Sequence, residues 1–200
     1  MAPGADYGAN TQPNREGARV PKLVIVYGPP FSRSDEIAWL LARSLPEKTA
    51  VLSTSALLEG SIAVPGPDFE AELDMVHTQL RLLVANYLKN RYNVVVEGAF
   101  IHARDGALYN NEMEMDQLIA LMRHLAPHAL IVRINASPEQ IAMRARAAGR
   151  EEEAARALDV AAAYRDRYGL RFLSLDADSL ADGEIVTTVR NELDRQEEAS

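Results

Sequence analysis

Residues 22–45 run KLVIVYGPPFSRSDEIAWLLARSL, and this stretch decides the fold. Leu23, Val24, Ile25 and Val26 form an unbroken apolar run, the pattern of a strand buried on both faces of a parallel sheet. Gly28-Pro29-Pro30 turns the chain. Ile37, Leu40, Leu41 and Leu45 then recur near the 3.6-residue period and predict a helix over 34–45, which Pro46 ends. A strand, a tight glycine turn and a helix N-terminus together make an anion site. The first helical N–H groups have no partner inside the helix, and the helix dipole is positive there.

Outward from this unit the pattern repeats. Residues 49–54 (TAVLST), 93–97 (NVVVE), 129–134 (ALIVRI) and 171–175 predict four more strands. Residues 55–67 predict an irregular segment broken by Gly60, Pro65, Gly66 and Pro67. Asp68 is placed to cap a long helix whose apolar face runs from Phe69 to Tyr87. Residues 101–109 predict a loop, and Asn111 with Glu114 a capping box. Ser137-Pro138-Glu139-Gln140 is a helix start with a Ser cap and Pro at the first position. Gly149 closes that helix, a second runs from Glu151 to about Tyr168, and 183–193 form the last. Strands alternating with helices predict a three-layer α/β domain, a parallel sheet with helices on both faces, over 22–195. Residues 1–21 are expected to be a disordered arm and 196–200 a disordered tail. Ligands of such sheets bind outside the carboxyl ends of the strands.

Composition narrows the classes. Hydrophobic residues make up 48% and charged residues 25% of the 200, which suits one domain with a real core. A net charge of −8 argues against a nucleic-acid or membrane-surface binder. The chain has no cysteine, so thiolate metal sites, disulfides and cysteine nucleophiles are excluded. No apolar run is long enough for a membrane span, and no secretory h-region opens the chain, so the expectation is a cytoplasmic protein.

With VYGPP at 26–30, VVVEG at 94–98 and an arginine-bearing helix pair after the fourth strand, the chain resembles the P-loop kinase superfamily. The likeness is to its small-molecule and nucleoside kinases, such as the gluconate, shikimate and chloramphenicol kinases. It implies a P-loop NTPase-type sheet with strands ordered 2-3-1-4-5, and ATP with Mg²⁺ as cofactors. It also implies a nucleotide site at Gly28, Ser32, Arg33, Ser34 and Asp35.

The phosphate loop itself departs from G-x-x-x-x-G-K-[ST]. Gly28 is present, but Arg33 stands at the second glycine, Ser34 at the lysine and Asp35 at the Mg²⁺-binding hydroxyl. Phe31 stands where related loops often carry another glycine. Side chains at 31 and 33 resist the close approach and positive φ that glycine permits. Losing the lysine removes a fixed charge, and losing one such donor costs about 10²–10³ in rate. Asp35 adds a negative charge, or else holds Mg²⁺ through its carboxylate. A plainer account is that Ser32, Ser34 or Asp35 caps the helix and Arg33 is solvated. A Phe31 ring turned into the cleft would fill the phosphate space.

Glu97, at the end of the third strand, is placed for a general base. Arg144, Arg146 and Arg150 lie where the family carries its lid, where arginines neutralise a moving phosphoryl group; pairing with Glu151–Glu153 is the simpler reading. Arg104 is read as a solvated loop residue, His77 as structural and Trp39 as packing or a partner contact. Asp176 and Asp178 are read as turn-formers. His124 and His128 straddle Pro127 and cannot share a helix face, so no zinc site is expected there. Two function classes follow. One is a pseudo-kinase with little or no ATP turnover whose cleft binds a small-molecule ligand or a protein partner. The other is an active phosphotransferase to a small hydroxyl compound, with Glu97 as base, Asp35 on Mg²⁺, and Arg33, Arg144 or Arg150 in place of the lysine. A purely structural or regulatory subunit is a third option.

Overall fold

The computed structural model describes residues 20–61, 68–164 and 171–199. Five parallel strands form one sheet: β1 (Leu23–Tyr27), β2 (Thr49–Ser53), β3 (Asn93–Gly98), β6 (Ala129–Asn135) and β7 (Phe172–Asp176), in the order β2-β3-β1-β6-β7. Counting only these five strands, this is the expected order 2-3-1-4-5. The two strands skipped in that count, β4 (Ile101–Arg104) and β5 (Ala107–Asn110), pair antiparallel as a separate hairpin.

β1 is central. It pairs with β3 on one side (Val24 opposite Val95) and with β6 on the other (Val24 opposite Leu130), and all five of its residues are fully buried. Strand geometry sends alternate side chains to opposite faces. Val24 and Val26 pack with Ile37 and Leu41 of α1 (Ser34–Ser44) and Ile185 and Val189 of α7 (Asp182–Glu198). Leu23, Ile25 and Tyr27 pack with Leu80 and Val84 of α3 (Phe69–Lys89) and Met115 of α4 (Met113–Met122). These two layers explain why β1 is apolar at every position. Lys22, 3% exposed, bonds Asp194 at 3.0 Å and Glu197 at 3.3 Å, tying α7 to the start of β1. α7 runs to Glu198, so part of the expected tail is helical.

Helix starts follow local chemistry. The Asp68 carboxylate accepts from the Ala71 amide at 3.1 Å, and Ser137 Oγ accepts from the Gln140 amide at 3.3 Å at the start of α5 (Pro138–Ala147). Replacing Asp68 by Ala is expected to lower the urea-unfolding free energy by about 1 kcal/mol.

Four expectations need correction. Residues 54–61 are helical (α2, Thr54–Ser61), although 55–67 read as irregular; 62–67 lie outside the described residues. The segment 101–109 is a hairpin rather than a loop, turned by Asp105 (φ 52°) and Gly106 (φ 79°), both left-handed as a two-residue β-turn requires. No side chain caps α4; the Asn110 side chain instead accepts from the Glu112 amide at 3.0 Å. The expected single helix from Glu151 is a short 3₁₀ turn followed by α6 (Ala154–Ala163), and its expected end near Tyr168 falls outside the described residues. The expected arm at 1–21 lies outside them too, except for its last two residues. Among the described residues no helix is long and apolar enough to cross a membrane.

Candidate functional site

A cleft of about 1190 Å³ opens at the carboxyl ends of β1, β2 and β3, bounded on its far side by α5 and the turn after it. Gly28, Arg33, Ser34, Asp35, Glu97, Arg144 and Arg150 all line it, so most of the residues singled out from sequence converge.

The loop from Gly28 to Arg33 forms its floor. A Cβ on Gly28 would sit 2.5 Å from the Ile134 carbonyl oxygen and 2.4 Å from Ser32 Oγ, so only glycine fits. The Ser32 amide donates to the Pro29 carbonyl at 3.1 Å. Ser32 is fully buried and faces this packing rather than the cleft. Phe31 and Arg33 hold φ of 64° and 72°. These are left-handed values at the two positions where glycine would adopt them freely, and they cost an L-residue about 1–2 kcal/mol each. The loop thus follows a glycine-type path through non-glycine residues and enters α1 at Ser34.

Arg33 lines the cleft, but its guanidinium is already engaged. Its guanidinium donates to Asp182 at the start of α7 and to Glu36 at 3.3 Å. No side-chain hydrogen bond caps α1 at its N-cap residue, Arg33; Asp35 and Glu36 stand in the first turn, where acids suit the helix dipole. Asp35 is exposed and near enough to Glu97 for their charges to interact.

Glu97 is the last residue but one of β3, before Gly98, whose φ of 145° and contact with Thr54 leave no room for a side chain. Burial pushes the Glu97 carboxyl above the usual carboxylate range and the charge of Asp35 pushes the same way, while a hydrogen bond from Ser53 pulls it down. Among the described residues no ion pair holds Asp35, Glu59 or Glu97, all of which face the cleft. Among the described residues no group of three His, Cys, Asp or Glu side chains is placed to hold a metal ion.

The arginines of the cleft are engaged. Arg144 donates to the Phe31 carbonyl at 3.2 Å and to Asp178 at 3.3 Å. Arg150 makes a two-point pair with Glu153 at 2.5 and 2.6 Å, and its guanidinium covers the Phe31 ring at 5.5 Å. Arg146 turns outward to Glu151 at 2.9 Å. Arg146 and Arg150 do not share a helix face, because α5 ends at Ala147 and Gly149 (φ 69°) reverses the chain between them.

Tyr164 escaped sequence reading, and Asp178 does more than the turn-forming read from sequence. Tyr164, at the end of α6, donates its hydroxyl to the Gly28 carbonyl at 3.2 Å and packs on Tyr27 at 5.2 Å. Nothing in the alanine-rich sequence before it marks this role. Asp178 orients Arg144 and accepts from the Ser137 amide at 2.6 Å, while Asp176 accepts from the Asp178 amide as a turn-former. Arg104 lies outside the cleft; it pairs with Glu72 at 3.4 Å and covers the Phe69 ring at 4.7 Å. His77 is buried against Phe100, and Trp39 is 54% exposed on α1.

No protein-family model matches the chain, and no curated protein sequence matches it. Solved structures do. A gluconokinase from Sinorhizobium meliloti 1021 superposes with a TM-score of 0.61 at 19% identity, covering 90% of this chain and 96% of its own. A sugar kinase from Janibacter sp. HTCC2649, in an unliganded structure, gives 0.59 at 13% identity, with 88% and 95% covered. The YorR protein of Bacillus subtilis, in complex with phosphorylated GDP, gives 0.57 at 15% identity, with 88% and 98% covered. The chain has the P-loop small-molecule kinase fold.

Proposed function

We propose that this protein is a kinase-fold pseudoenzyme: it keeps the cleft of a P-loop kinase, turns over little or no ATP, and uses the cleft to bind a small-molecule ligand or a protein partner. One observation carries the reading. Positions 33–35 supply no free cation to the cleft: Arg33 is drawn off to Asp182 and Glu36, and Ser34 and Asp35 stand where an ammonium and a hydroxyl belong. Three carboxylates, Asp35, Glu59 and Glu97, face the same space with no ion pair among the described residues. A magnesium triphosphate needs concentrated positive charge at the loop. The residues present do not fit it, although one fold neighbour, YorR, is in complex with phosphorylated GDP. Titration of the full chain with Mg-ATP by calorimetry is expected to give a Kd weaker than about 1 mM. Micromolar binding would overturn the proposal.

A second reading, phosphotransfer to a small hydroxyl compound, draws on Glu97. It sits at a strand end in the cleft with its carboxyl pushed up by burial, as suits a general base. Under that reading Glu97→Gln abolishes ADP release in a screen of hydroxyl acceptors while the melting temperature holds. Under the first reading wild type and Glu97→Gln are equally silent in that screen.

A further inference from the structure

We propose that Phe31 occupies the anion position of the cleft from within and that the lid arginines hold it there, so the cleft is closed to phosphate-bearing ligands until the lid withdraws. The inference rests on the reading above and supplies its regulation.

Arg144 donates to the carbonyl oxygen of Phe31 at 3.2 Å, and Arg150 lies over the face of its ring at 5.5 Å. A carbonyl oxygen and the negative face of an aromatic ring are the two neutral groups that best imitate an anion for a guanidinium. One residue supplies both. It does so because its backbone is left-handed, which turns the carbonyl to Arg144 and the side chain to Arg150. Both arginines are oriented by acids outside the loop: half-buried Arg144 by Asp178, and the more exposed Arg150 by a two-point pair with Glu153. The far end of the lid pair is tied to the same loop by Tyr164, whose hydroxyl reaches the Gly28 carbonyl. The lid therefore rests on the loop at Gly28 and Phe31. Each contact is of an individually weak kind, so the closure is a reversible latch rather than a permanent seal.

The test uses inorganic tripolyphosphate as probe and calorimetry on the full chain. Phe31→Ala removes the ring but keeps a Cβ, and with it the left-handed strain, so a gain comes from unplugging and not from a freer backbone. It is expected to bind tripolyphosphate at least tenfold more tightly than wild type. Adding Arg150→Gln is expected to cancel that gain, because the released guanidinium becomes a ligand of the anion. Phe31→Ala that melts like wild type and binds no more tightly would overturn the plug. Should Phe31→Ala fail to fold, Phe31→Leu keeps the bulk and loses the ring. It must then speed amide exchange across α5, and unchanged exchange would overturn the proposal equally. Micromolar Mg-ATP binding by wild type marks a failure of the proposed function. A wild type that ignores Mg-ATP, beside a Phe31→Ala that gains nothing, marks a failure of the plug alone.

Discussion

Combining Phe31→Gly, Arg33→Gly, Ser34→Lys and Asp35→Thr is expected to tighten Mg-ATP binding by about 10²–10³-fold, read by calorimetry against wild type. The size follows from the parts. A hydrogen bond to a charged group is worth about 1.5–3 kcal/mol, so the new lysine alone contributes roughly ten- to a hundredfold. Removing Asp35 takes a like charge away from the phosphates and from Glu97, which it now pushes toward protonation. The two glycines accept φ of 64° and 72° without strain, so the loop keeps its path. Arg33→Gly also gives up the pairs with Asp182 and Glu36, worth about 0–1 kcal/mol each at such partly exposed positions. That loss is offset by the relieved backbone, so the melting temperature is expected to hold or rise. If the restored loop still ignores Mg-ATP, the obstacle lies in the carboxylates Glu59 and Glu97, and the loop residues are not what closes the site.

That the loop can be repaired on paper reflects how its two halves differ in legibility. The strand and helix on either side were readable because burial on both faces forces an all-apolar β1 and a one-sided α1. Ser137-Pro138 announced α5 for a similarly local reason: a side-chain cap and a proline ring act within one turn. The convergence of Gly28, Asp35, Glu97, Arg144 and Arg150 on one cleft followed from strand order alone. What sequence could not reveal is where long side chains go. Arg33 had two destinations, the cleft or solvent, and took a third on α7, 149 residues away in the chain. Tyr164 reaches Gly28 across 136 residues, a contact no local pattern encodes. The β4–β5 hairpin is a different kind of miss. Asp105-Gly106 is a strong turn signal, but its flanking strands are four residues each and carry polar residues, so periodicity is weak. Placing that hairpin matters, because it brings His102 beside His77.

This histidine pair is expected to make the fold acid-sensitive. Burial pushes the His102 imidazole down to about 4 from an ordinary 6.5, and His77 pushes it the same way, while a hydrogen bond to the Ala99 carbonyl works against both. Burial also lowers His77, whose two ring nitrogens have no hydrogen-bond partner among the described residues; Arg81 adds to the fall, and Glu114 and Asp74 oppose it. Both rings are packed by aromatics, His77 flat on Phe100 at 5.9 Å and His102 edge-on to Phe69 at 5.9 Å. Between pH 6.5 and pH 4 the unfolded chain takes up a proton at His102 that the folded chain refuses. Folding stability therefore falls with pH across that window, and the contribution is intact above it. By linkage, His102 alone is expected to cost about 2 kcal/mol between pH 7.5 and pH 5, with His77 adding in the same direction. Stopping at pH 5 keeps most carboxylates ionised, so the histidines dominate the change. Urea unfolding of wild type and His102→Phe at the two pH values checks it: the variant, with no proton to take up at that position, is expected to lose about 2 kcal/mol less. Equal losses in both proteins would place the His102 ring in contact with water, and the hairpin that carries it would then be open where the structure has it closed over α3.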